Sequence, residues 1–271
     1  MKEQVLESPF CKKEFLELVE IISKEKTTIL TNYAISDSSI VNIGDRDLVD
    51  YRPDISIDSK DLKDKNISNI NFDSLHFFQV QNLVEDIDTK SVKIKKSDVA
   101  VNLILPKTYE EYLESLNKKN RHELRRKKRK FDNETTSYEL GESKEQDIFD
   151  IFISQHRESK GEKGEFMTEV VETYFRNLLN LQGWKIYYTN TDKGVLSTAF
   201  CYENEDGCYL YNSSRNNEFN FINPGIVLND LIIQRLIDRG MAFFDFLKGT
   251  ERYKYDLGGK SVQLYDLAIE L

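Results

Sequence analysis

Nine of the thirteen residues from 118 to 130 are lysine or arginine: Lys118, Lys119, Arg121, Arg125, Arg126, Lys127, Lys128, Arg129 and Lys130. Only Glu123 opposes them. Arg121, Arg125 and Arg129 are spaced i, i+4, i+8, so they share one face of a helix. Guanidinium forks bind phosphates bidentately, so such a row suits an anion: a nucleotide, a tRNA backbone or an anionic lipid head group. Arg121 lies closest to the apolar stripe of its helix, and we expect Arg121 and Arg125 to reach inward to substrate. A second segment, Asn223-Pro224-Gly225, leads into a helix beginning near Ile226. The free N–H groups and the dipole of a helix start favour an anion there, and Gly225 lets one approach closely. A third segment runs Phe244-Asp245-Phe246-Leu247-Lys248-Gly249 and ends Tyr253-Lys254. A strand delivers Asp245 near its end, where loops carry function. Lys254 could neutralise developing negative charge and Tyr253 could donate a proton. His156, on a helix, is a further candidate base.

The elements that must position these residues are legible as patterns. Thr108 and Glu111 form a capping box for a helix from about 109 to 131, buried along Leu113, Leu116, Leu124 and Phe131. A helix over 144–159 and one from the Thr168 cap to 181 follow, with residues 160–164 as a loop between them. Three strands, 184–189, 195–202 and 208–212, form a meander, with Asn204-Glu205-Asp206-Gly207 as a hairpin turn. Strands over 241–247 and 262–269 flank the last helix. Towards the start of the chain, a helix carries Phe15, Leu16, Leu18, Val19 and Ile22. Short strands over 28–31 and 40–43, a polar stretch over 54–65, and buried strands over 75–80 and 99–105 follow it. The fold class is α/β (α+β): a mixed, largely antiparallel central sheet flanked by helices.

Composition sets the frame. The chain has 271 residues, 31% of them charged, and a net charge of −9. Leu, Ile, Val and Phe make 80 of the 271, enough for a sizeable core. The acidic balance argues against a chain that binds nucleic acid over its whole surface, but not against a local basic patch. Cys11, Cys201 and Cys208 lack metal-ligand spacing and would leave one thiol over from any disulfide. We expect no metal and a reducing, cytoplasmic compartment. No secretion signal is read at the start. The most apolar helical stretch, 226–237, carries Asp230, Gln234 and Arg235, so no transmembrane segment is expected.

Several motifs together resemble a known family. They are Tyr112-x-x-x-Leu116, Arg121-x-x-x-Arg125-Arg126-x-x-Arg129, His156 before a Gly-containing loop, Pro224-Gly225, and Asp245-Phe246-Leu247-x-Gly249-x-x-x-Tyr253-Lys254. In this order they are similar to GNAT-fold acyltransferases of the CelD-like, cellulose-biosynthesis group, themselves related to Fem-type aminoacyl transferases. The match runs from about 106 to 258, and Asp50-Tyr51 resembles a pair in the family's N-terminal half. The resemblance implies two GNAT-like halves, an abbreviated one over 1–106 and an acyltransferase domain over 107–271. It implies an acyl-CoA donor, acetyl-CoA foremost, with its pyrophosphate at Gly225, Ile226, Val227 and Leu228. It also implies an amine acceptor such as an amino sugar or small molecule, with a place in polysaccharide or cell-envelope synthesis. Asp245, His156 and Tyr253 would orient or deprotonate the amine, and Lys254 would steady the carbonyl oxygen or a donor phosphate. The usual Gln/Arg-x-x-Gly-x-Gly/Ala phosphate loop is replaced here by Asn223-Pro224-Gly225-Ile226-Val227-Leu228. An aminoacyl-tRNA donor, as in Fem-type proteins, and a non-catalytic binding module are the alternatives.

Overall fold

A computed structural model describes residues 2–22, 28–30, 32–57, 62–63, 66–87 and 89–271. The chain divides into two compact units, residues 1–100 with 261–271, and residues 101–260. Its helices are α1 (Lys2–Leu6), α2 (Lys13–Ile22), α3 (Phe77–Asp86), α4 (Tyr109–Ser115), α5 (Lys118–Glu134), α6 (Gln146–Arg157), α7 (Glu162–Phe166), α8 (Glu169–Asn180), α9 (Pro224–Asp238) and α10 (Arg252–Asp256). Its strands are β1 (Thr28–Leu30), β2 (Tyr33–Ser36), β3 (Ser39–Val41), β4 (Asn69–Leu75), β5 (Ser91–Ile104), β6 (Tyr138–Ser143), β7 (Trp184–Thr191), β8 (Gly194–Glu203), β9 (Gly207–Arg215), β10 (Phe243–Lys248) and β11 (Lys260–Glu270).

In the first unit the strand order is β1-β2-β3-β4-β11, followed by residues 91–100 of β5. Only β3 and β4 run parallel among the pairs whose register is defined there. The core gathers Ile40, Ile70, Phe72, Leu75, Val80 and Leu83. Buried Arg52 donates to Asp73 through Nε (3.1 Å) and Nη2 (2.7 Å), and through Nη1 to the carbonyl of Ile43. Tyr51 packs edge-on against His76, ring centroids 4.7 Å apart.

In the second unit, residues 101–104 of β5 lead the order β5-β10-β9-β8-β7-β6. Strands β6 to β9 form an antiparallel meander, and β10 runs parallel to β9. The core joins α4, α5 and α9 to the sheet through Tyr112, Leu124, Ile232, Leu236 and Phe244. This is the mixed sheet with flanking helices read from the sequence.

Three local readings change. The helix expected over 109–131 is two helices, because Leu116 is extended and the Asn117 side chain caps α5 by accepting from the Asn120 N–H at 2.8 Å. The strand expected over 75–80 is a strand end and a helix start. Ser74 is left-handed, and Gln79 Oε1 accepts the His76 N–H at 2.9 Å as α3 begins. The loop expected over 160–164 contains the start of α7. Parts of the stretches 28–31 and 54–65 lie outside the described residues.

Candidate active site

In the second unit, β9 and β10 pair over three residues: Phe243 with Gly207, Phe244 with Cys208, and Asp245 with Tyr209. Gly207 permits this contact, since a Cβ there would meet the Phe243 carbonyl oxygen at 2.6 Å. Beyond Tyr209 and Asp245 the registered pairing stops, although both strands continue. The other edge of β9 is irregular close to this point. Phe200 pairs with Asn212 but Cys201 pairs with Leu210, so Tyr211 is an extra residue. A bulge there turns the strand and increases its twist. Where paired strands part, backbone N–H and C=O groups along the facing edges need partners other than each other, and an extended ligand can supply them.

The end of β10 is locked by the third motif. Asp245, 1% exposed, accepts the Leu247 N–H at 2.8 Å through Oδ1 and the Asn102 amide at 3.3 Å through Oδ2. That bond holds Leu247 at φ +57°, and Gly249 follows at φ +110°. Lys254, 3% exposed, closes the turn. Its Nζ donates to the carbonyls of Lys248 and Gly249 (3.3 Å) and pairs with Glu251 at 3.0 Å. Asp-x-Leu-x-Gly-x-x-x-x-Lys therefore locks the turn that ends β10, which its spacing alone does not reveal.

Helix α9 begins beside the end of β9, where the Ser197 hydroxyl donates to the Pro224 carbonyl at 3.1 Å. Asn223 is left-handed, and its carbonyl accepts the Ile226 N–H at 3.0 Å. The side chains of Val227 and Leu228 are buried core, and the Ile226 and Val227 N–H groups both donate to the Asn223 carbonyl, so the helix start offers a ligand the neighbourhood of Gly225. A Cβ at Gly225 would meet nothing closer than Arg215 Cδ, at 3.9 Å. Arg215 thus stands at the positive end of a helix dipole, an arrangement that an anion would stabilise. Its Nε donates to Asn220 at 2.6 Å.

Tyr253 packs edge-on against Phe246, centroids 6.0 Å apart. Burial foremost, and then Glu251, push its hydroxyl well above the usual tyrosine range, against the pull of Arg215. The phenol stays protonated at neutral pH. His156 is 1% exposed among Phe152 and Phe166, and neither ring nitrogen has a close hydrogen-bond partner among the described residues. Burial, and then the charge of Lys163, push it down to about 4, with the Asn212 side chain as the opposing polar neighbour. Lys163, Arg215 and Glu251 lie close enough for their charges to act on one another. Neither Lys163, Arg215 nor Asn212 stands out in the sequence, because each belongs to no motif and is brought in by strand and helix placement.

Arg121 is half-buried and Arg125 exposed. Both line a cleft of about 710 Å³ along α4 and α5, which Gly225 and Lys254 do not line. Behind it, buried Asp230 of α9 accepts Lys128 at 2.6 Å and the Tyr109 hydroxyl at 2.8 Å, tying three helices together. Among the described residues, no cluster of three or more His, Cys, Asp or Glu could hold a metal, and no helix is long and apolar enough to cross a membrane.

Residues 118–255 match a family model described as an acetyltransferase (GNAT) domain. No curated protein matches the chain. Among solved structures, a protein of unknown function from Bacteroides thetaiotaomicron is similar over 99% of this chain and 96% of its own, at 11% identity and a TM-score of 0.64. FemX is similar over 97% and 94%, at 11% identity and the same TM-score of 0.64. The C-terminal domain of a protein assigned as a lysylphosphatidylglycerol synthetase, from Agrobacterium fabrum, is similar over 100% and 90%, at 10% identity and a TM-score of 0.59. At these identities the likeness is one of fold.

Proposed function

The chain belongs to the family of acetyltransferase (GNAT) domains, and on that premise we propose that it moves an acyl group from an acyl-CoA, acetyl-CoA foremost, to the amine of a small molecule or sugar precursor. The observation that carries this reading is the end of the registered β9–β10 pairing beyond Tyr209 and Asp245, close to the bulge at Tyr211, together with the start of α9 at the end of β9 beside Arg215. The donor pyrophosphate would lie against the start of α9 at Gly225 with Arg215 as its counter-charge, and the acyl thioester would lie in the parting. The space at Gly225 and the cation beside it fit that group.

The amine nitrogen attacks the thioester carbonyl carbon, a C–N bond forms, and the C–S bond breaks as the tetrahedral intermediate collapses. The departing thiolate takes a proton and the attacking nitrogen loses one. Tyr253, protonated at neutral pH, is the donor to sulfur. The amine proton leaves to water, and His156, held neutral above about pH 4 by its burial, would help orient the amine. Asp245 and Lys254 act as positioning residues, because their polar atoms are engaged in the turn that ends β10.

The test is a thermal-shift titration with CoA, acetyl-CoA and longer acyl-CoAs on the wild type and on Gly225→Trp. A ligand that binds only the folded state raises the melting temperature with concentration. The reading expects a rise that the variant loses, and a Cβ at Gly225 meets nothing closer than 3.9 Å, so the backbone there accepts a side chain; circular dichroism of the variant checks that it folds. No rise with any acyl-CoA would overturn the donor and favour an aminoacyl ester carried on tRNA.

A further inference from the structure

We propose that the cleft between α4 and α5 binds an anionic phospholipid and docks this protein on a negatively charged membrane surface. The rim of the cleft carries Lys118, Arg121, Arg125 and Arg129. None of the four pairs with a carboxylate among the described residues, whereas Arg126 is held by Glu123 at 2.9 Å and Lys128 by Asp230. Positions 121, 125 and 129 repeat each helical turn, so the guanidinium row advances about 6 Å per step.

The floor has the opposite character. It consists of Leu124, Leu113 and Tyr109. The Tyr109 hydroxyl is already committed to Asp230, with Lys128 Nζ 3.2 Å away. A nucleobase is recognised through hydrogen bonds along its edges, and this floor offers it no free polar partner. An amphiphilic phosphate fits both surfaces, with its phosphoryl group at the rim and hydrocarbon below.

An independent feature adjoins the end of α5. Lys130 Nζ lies 5.3 Å from the Phe221 ring centroid, and Lys193 Nζ lies 5.7 Å from that of Phe219. The two rings stack with centroids 6.4 Å apart, and Phe221 is 50% exposed. Aromatic rings beside lysines are the side-chain pairing that settles at a bilayer interface. Charge distribution completes the case. Residues 118–130 carry eight net positive charges on a chain of net charge −9. An anionic surface attracts α5 and repels the rest of the chain, and the rim row sets which side of α5 meets it.

Vesicle co-sedimentation of the intact protein tests the proposal. Vesicles mixing phosphatidylglycerol with phosphatidylcholine should pellet it, less so as salt rises, while pure phosphatidylcholine should not. At about 5-fold per basic residue, the double variant R121Q/R125Q should bind roughly 30-fold more weakly. The double variant K119Q/K127Q removes the same charge away from the rim and should lose clearly less. Circular dichroism establishes that both fold. Equal binding to the two vesicle types, no binding, equal losses in the two variants, or tighter binding to a single-stranded RNA oligonucleotide than to vesicles would each overturn it.

Discussion

Replacing Lys254 with methionine separates two roles for its ammonium group. The substitution keeps the length of the side chain and removes the charge. In the wild type the ammonium donates to the carbonyls of Lys248 and Gly249, with the Leu247 carbonyl at the 3.5 Å limit. A hydrogen bond from a charged donor contributes about 1.5–3 kcal/mol, and two such bonds are lost. Part of that is offset, because the variant no longer keeps a cation at 3% exposure. The Glu251 pair adds little, since that carboxylate is 58% exposed. The net cost is about 3 kcal/mol, which for a unit of this size lowers the melting temperature by about 6–12 °C. Differential scanning calorimetry measures the loss, and acyl transfer assayed well below the new midpoint measures the rest. The positioning role expects a large stability loss with partly retained turnover and a raised KM for the donor. Wild-type stability combined with abolished turnover would refute the turn-lock reasoning and return Lys254 to direct contact with the reacting groups.

Other outcomes follow from the same geometry. Asp230→Ala breaks a buried pair and should cost about 3 kcal/mol by calorimetry, at the lower end of such losses because Lys128 is 23% exposed and can reach water. Tyr253→Phe should lower kcat with little change in donor affinity, measured by steady-state kinetics and calorimetric titration, if its hydroxyl protonates the leaving sulfur. His156 and His76 are both pushed down to about 4, by burial first. Each folded pKa lies below the unfolded value of about 6.5. The unfolded chain therefore binds more protons below pH 6.5, and stability should fall progressively from there to about pH 4. Chemical denaturation across that range should show the fall, and His156→Phe should flatten the part that belongs to the second unit.

Much of the scaffold was legible because it rests on local chemistry. Thr108 does accept the Glu111 N–H at 3.2 Å, and Thr168 accepts the Val171 N–H at 3.3 Å. Asn204 Oδ1 accepts from Asp206 and Gly207, which closes the hairpin read from that stretch. Pro224 and Gly225 do open a helix. Features set by distant neighbours were not legible. The apolar stripe runs on through Leu116, yet the chain breaks there because the Asn117 cap starts a new helix. No local pattern marks Tyr211 as a bulge, since the extra residue exists only relative to β8. Nor does any pattern show that residues 261–271 rejoin the first unit. Arg121 and Arg125 illustrate the same limit. Helical spacing put them on one face, but only the placement of α4 shows that this face lines a cleft of its own.

The most direct measurement of the central claim is a crystal structure grown with acetyl-CoA. The account predicts pyrophosphate density at Gly225, near Arg215, with the thioester between β9 and β10 beyond Tyr209 and Asp245. Acetyl-CoA seated only in the cleft along α5, with the β9–β10 parting free of ligand, would contradict it.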